Sequence, residues 1–234
     1  MAPLPLIATL QTRLARFWRE DRGLSFLLLF LVVILVVAPL RETGGLARVL
    51  LSVAFSLMLI SGVVAVSRRR WAGIVTGVIA TLSLVLEWAG HWSGSPTLEA
   101  LRAIVSLMFT MILAAVVLAQ VLREGRITIH RIVGSATAYV LLGFTWAEMY
   151  HLLGKVDPAA FASSVFQSLG QPEFYYFSFV TLTTIGYGDI TPVHALARSL
   201  AILEALTGQL FPAILIARLV SMELVDRNPR GVSP

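Results

Sequence analysis

Six stretches of almost unbroken apolar sequence leave this chain few ways to fold: about Leu24–Leu40, Leu46–Val66, Trp71–Gly90, Leu98–Leu122, Ile132–Leu153 and Val193–Val220. Each is near the ~20 residues that a helix needs to cross a bilayer. Glu87 interrupts the outer end of the third. Of the 234 residues, 57% are hydrophobic and only 13% charged, with a mean hydropathy of +0.84, which is more apolar sequence than a soluble core uses. The expectation is an all-α membrane protein of six transmembrane helices. With no cysteine there is no disulfide and no thiolate metal site. The formal charge of +5 is spread beside the hydrophobic stretches and not gathered in one patch, so it points to membrane topology, with lipid and not nucleic acid as partner.

The arginines orient the spans. With the amino terminus inside, the inner segments hold Arg13, Arg16, Arg19, Arg22, Arg68, Arg69, Arg70, Arg123, Arg126, Arg131, Arg218, Arg227 and Arg230, 13 of the 18 basic residues. The outer side keeps Arg41, Arg48, Arg102, Lys155 and Arg198. Both termini are therefore expected in the cytoplasm of a multi-pass plasma (cell inner) membrane protein. Residues 2–22 carry Leu6, Leu10, Leu14 and Phe17 or Trp18 at helical spacing, with arginines toward the end. This predicts an amphipathic helix on the inner surface. A signal peptide is the competing reading, but Ala38-Pro39-Leu40-Arg41 offers no small-x-small cleavage site, so the first span is expected to be retained.

Within the most hydrophobic part lies Thr183-Thr184-Ile185-Gly186-Tyr187-Gly188-Asp189, too short and too rich in glycine for a strand or helix. Glycines on both sides of a tyrosine let successive carbonyls turn toward one axis, where they replace the water around a cation. Upstream, Gln171-Pro172-Glu173 reads as a helix start, with proline at the first position and an acid in the first turn. The apolar run Phe174–Thr183 then predicts a short re-entrant helix, too short to cross. Downstream, Asp189-Ile190-Thr191-Pro192 breaks the chain before another long apolar helix.

These residues resemble the selectivity filter of potassium channels, with Ile185 in place of the valine of their TVGYG loops. The resemblance covers roughly residues 130–220. It extends to the separations of 3, 9 and 19 from Asp189 to Pro192, Arg198 and Gly208, similar to the inner helix of simple bacterial potassium channels. It implies that Thr184, Ile185, Gly186, Tyr187 and Gly188 line the filter, with K+ held at Thr184 to Tyr187. Thr183, Asp189, Tyr176 and Phe177 would support it, the last two as an aromatic pair that braces it. Gly208 would be the hinge of the pore-lining helix, Gln209 would face the cavity, and Pro212 would kink the helix one turn on. Val180 stands where some members have a glutamate behind the filter. Potassium would be the permeant ligand and no cofactor is expected. One pore loop per chain implies a homotetramer.

The expected order is therefore a cytoplasmic amphipathic helix over 1–23 and a four-helix membrane domain over 24–122, resembling a voltage-sensor domain without its arginine ladder. A pore domain follows over 128–220, with a turret at Gly154–Gly170, and a short tail over 221–234 is too small for a soluble ligand-binding domain. Leu98–Leu122 carries only Arg102, within reach of Glu99, so steep voltage gating is not expected. Other ionisable groups carry competing readings. Glu204 lies at membrane depth, functional or paired with a neighbour such as Arg198; Glu148 lies near the outer end of the fifth span, and His194 near the outer mouth is a candidate for external pH sensing. Glu148-x-x-His151 has the spacing of a di-iron helix motif, and Glu87 and His91 share a face, which keeps a membrane enzyme as an alternative, although a di-iron site needs a second such motif. The nearer alternative is the membrane subunit of an energised potassium uptake system.

Overall fold

A computed structural model describes residues 22–66, 70–89, 96–122, 129–166 and 169–227. The helices are α1 (Arg22–Val37), α2 (Gly45–Val66), α3 (Arg70–Ala89), α4 (Pro96–Val121), α5 (Ile129–Val156), the short α6 (Gln171–Leu182) and α7 (Ala195–Arg227). All but α6 belong to segments long and apolar enough to cross a membrane, as the expected all-α membrane architecture requires. The 3₁₀ helix Ala38–Thr43 ends α1, where Pro39 removes a backbone donor and breaks the α pattern. α7 runs seven residues past Val220, so the first half of the expected tail is helical. The expected amphipathic helix, Arg68, Arg69, His91, Arg123, Arg126 and Arg230 lie outside the described residues.

The two halves of the chain share one core. Leu27 and Leu31 of α1, Met58 and Leu59 of α2, Phe109 and Leu113 of α4 and Leu141 and Phe144 of α5 form a single buried cluster that reaches Tyr175 of α6. Several hydroxyls inside the spans bond back to their own helix, as Ser56 Oγ does to Ser52 O (2.7 Å) and Ser135 Oγ to Arg131 O (2.7 Å), so these cost little at membrane depth.

The turret is more ordered than a loop. After α5 come a 3₁₀ turn, Pro158–Ala160, and a strand β1 (Phe161–Ser163), antiparallel to β2 (Ile190–Pro192) in the register Phe161↔Pro192, Ala162↔Thr191 and Ser163↔Ile190. Asp157 Oδ1 caps the turn by accepting from Ala159 N (3.1 Å), while its Oδ2 meets His194 Nδ1 at 2.7 Å. The turret is thus fastened to the chain immediately beyond the glycine-rich loop.

Candidate functional site

The site grows from the carboxyl end of α6. The helix starts as its sequence predicts, with Pro172 in the first turn and Glu173 reaching back to accept from Gly170 N (2.8 Å). At its other end, Thr184 N donates to Thr181 O (2.9 Å), and Ile185 N and Gly186 N both donate to Val180 O (2.9 and 3.3 Å). A trans peptide unit aims its carbonyl opposite to its N–H. The carbonyls of Thr183, Thr184 and Ile185 therefore turn away from α6, toward the side where Thr183 to Gly188 are exposed. Thr184, Gly186 and Gly188 have φ of +59°, +60° and +79°, alternating with Ile185 and Tyr187. Alternating hand is what allows successive peptide groups to face one way, and a β-branched residue such as Thr184 adopts it only under constraint.

Supports hold the loop from several directions. Tyr176 OH donates to Asp189 Oδ2 (2.6 Å), and the Tyr176 and Tyr187 rings stack at 6.5 Å with 2° between planes. Acceptance by Asp189 is the main cause that pushes the Tyr176 phenol up to about 12. Phe177 is buried edge-on against Tyr150 (5.0 Å) and Phe161 (5.6 Å), packing α6 on α5 and β1. Thr183 Oγ1 donates back to Phe179 O (2.6 Å), and Ser164 N donates to Asp189 O (3.0 Å) from the turret. Val180 contributes only its backbone carbonyl to these bonds.

α7 closes the site from the other side. Gln209 Nε2 donates to Thr184 Oγ1 (3.0 Å), which joins this helix directly to the glycine-rich loop. Gly208 packs against Leu182 so tightly that no side chain fits there. Pro212 lies inside α7 and cannot donate to the Gly208 carbonyl, leaving the helix weakest just below this contact. The face of α7 with Leu196, Ile202, Leu203, Leu206, Leu210 and Ile214 is exposed in one protomer, and its span is 11% buried against 50% for that of α5.

Arg102 and Glu204 meet partners other than the neighbours in sequence. Arg102 meets Glu87 of α3 (2.6 Å), which Ser52 Oγ also reaches at 3.3 Å, while Glu99 pairs with Lys155 (2.7 Å). Arg198 Nε donates to Pro192 O (3.2 Å), and Glu204 is taken up by Tyr150 OH (2.7 Å) and Ser178 Oγ (2.5 Å). The sequence showed each acid and each base but not which helix faces which. Glu148 Oε1 accepts from Gln171 Nε2 and Tyr175 OH (both 2.9 Å), and its Oε2 stands 3.9 Å from His151 Nδ1. Among the described residues no third His, Asp or Glu joins that pair.

Comparison with known proteins reaches the same region. A family model described as "Ion channel" matches residues 138–224, which run from α5 through the loop into α7. Protein LctB of Geobacillus stearothermophilus is 37% identical over 86 residues, 35% of this chain and 62% of that protein. Protein LctB of Bacillus caldotenax is 47% identical over 45 residues, 19% of this chain and 33% of that protein. Two pore potassium channel c of Oryza sativa subsp. japonica is 39% identical over 108 residues, 41% of this chain and 24% of that protein. The chain thus spans less than two thirds of the length of each of these relatives. Residues 138–224 are thus similar to the ion channel family.

Proposed function

We propose that this chain is the subunit of a potassium-selective channel that passes K+ down its gradient without chemistry or cofactor. The observation that carries the reading is the polarity of the loop: its N–H groups are consumed by the end of α6, so the carbonyls of Thr183, Thr184 and Ile185 are left to face a cation. Thr184, Ile185, Gly186, Tyr187 and Gly188 form the filter, with K+ held by the carbonyls of Thr184 to Tyr187 and by the Thr184 hydroxyl. Asp189, Thr183 and Tyr176 hold its shape, and Gln209 faces the cavity beneath.

One protomer supplies one wall. Lipid can cover the apolar face of α7 but not exposed carbonyls, so four copies around an axis suit both surfaces at once. Opening would bend α7 over Gly208–Pro212. The arginine distribution supports cytoplasmic termini in a plasma (cell inner) membrane. The α1–α4 domain offers Arg102 alone on α4, already paired to Glu87, which supports shallow voltage dependence.

Reconstitution of the purified protein in liposomes tests the reading. Unitary K+ currents are expected. Flux without unitary events would favour an energised uptake subunit, and the absence of both would return the membrane-enzyme alternative.

A further inference from the structure

Glu204 is fully buried in the middle of the pore-forming half, yet the conduction path as described does not use it. Its surroundings contain three short contacts. Tyr150 OH lies 2.7 Å from its Oε2, Ser178 Oγ lies 2.5 Å from its Oε1, and Ser178 Oγ also lies 2.7 Å from Gly143 O. Each contact needs one proton. Tyr150 and Ser178 own one each, and Gly143 O has none to give. As a carboxylate, Glu204 would leave three contacts with two protons. As a carboxylic acid it completes the set: Glu204 donates to Ser178, Ser178 donates to Gly143 O, and Tyr150 donates to Glu204. The ionisable groups around it are the phenols Tyr139 and Tyr150 of α5, and α6 presents the neutral Ser178. Among the described residues no Lys, Arg or His forms an ion pair with it.

The network has a geometric partner one turn on. Glu204 touches Ser178, and four residues later Gly208 lies against Leu182, four residues after Ser178. α7 and α6 therefore run alongside each other in a fixed register, with a hydrogen bond at one turn and a backbone contact at the next. α5 closes the third side through Tyr150 and Gly143. We infer that Glu204 is a protonated carboxyl that locks the upper part of α7 and the pore helix α6 into one rigid body. It is thus a positioning residue for the filter, and it confines the bending of α7 to the segment below Gly208. This inference rests on the channel reading only for its functional arm.

Glu204→Gln and Glu204→Ala test it together. The amide of Glu204→Gln has the same shape and supplies the same donor and acceptor, so K+ flux should stay within about twofold of wild type, whereas Glu204→Ala, which strands Ser178 and Tyr150, should lower it about tenfold or more. In infrared difference spectra of wild type against Glu204→Gln, a carboxylic acid C=O band that shifts in D₂O should belong to the wild type alone. A carboxylate band lost instead, a folded tetrameric Glu204→Gln that no longer conducts, or a Glu204→Ala that conducts like wild type would each overturn the inference. The infrared band is read whether or not the protein conducts. A silent wild type therefore counts against the channel reading, and the band alone then decides the state of Glu204.

Discussion

A Cβ placed on Gly208 would collide with the carbonyl oxygen of Leu182, so at this point α7 meets the end of α6 backbone to backbone. This contact puts the next residue, Gln209, within 3.0 Å of Thr184. Gly208 therefore serves close approach, while Pro212 deprives the Gly208 carbonyl of its helical donor. Gly208→Ala should destabilise the protein by about 3 kcal/mol or more, at the upper end of overpacking costs because the obstacle is backbone that cannot rotate aside. Thermal unfolding in detergent measures it; an unchanged midpoint would leave Gly208 as a hinge only.

Tyr176→Phe removes the donor to Asp189 while keeping the ring that stacks on Tyr187. A hydrogen bond to a charged group contributes about 1.5–3 kcal/mol, so the conducting lifetime of the filter should fall about tenfold or more. Because the bond holds the phenol up to about 12, from an ordinary value of 10.0, its contribution is complete below pH 10 and lost as pH rises through 12. The deficit of Tyr176→Phe should accordingly be the same at pH 6 and pH 8. A deficit that differs between them would show that another group holds Asp189.

Arg102→Gln removes the guanidinium that meets the buried Glu87, which Ser52 Oγ also reaches. The loss should approach the ~3–5 kcal/mol of a broken buried pair, discounted because the Arg102 side chain keeps 25% of its exposure, and Glu87→Gln on top should recover most of it. Voltage dependence should not change in the double variant. Steep gating uses about three or four charges in each of four subunits, and here α4 carries one arginine, tied to a neighbouring helix. Open probability from −120 to +120 mV decides this, and an effective charge near 12 would contradict it.

The absence of native cysteine makes single-cysteine topology mapping clean. Ala160 is buried, so the turret reporter should be Val165, which is 67% exposed. Val165→Cys should react with an impermeant reagent outside intact cells and Arg69→Cys should not. The reverse pattern would invert the assigned orientation.

The long helices were legible because each apolar run has a length that only a bilayer demands, and the start of α6 because Pro172 and Glu173 act on their own helix. The β1–β2 pair was not: strands of three residues are too short for alternation to register, and they pair across 29 residues at Ala162 and Thr191. Nor were the partners of Arg102 and Glu204, since Glu87, Tyr150 and Ser178 are placed by helix packing and not by sequence spacing. At the loop, the glycines announced left-handed backbone. Thr184 sharing that conformation, and Gln209 reaching its hydroxyl, emerged only once α7 was packed on α6.

We propose that backbone carbonyls between Thr184 and Tyr187 select K+ over Na+. The most direct test is the reversal potential of the reconstituted protein with K+ on one side and Na+ on the other, beside Gly186→Ala, whose methyl would be strained at φ +60°. The wild type should reverse near the K+ equilibrium potential, and Gly186→Ala should lose either the current or the selectivity. A wild-type reversal at zero, with both ions equally permeant, would rule out carbonyl selection of K+.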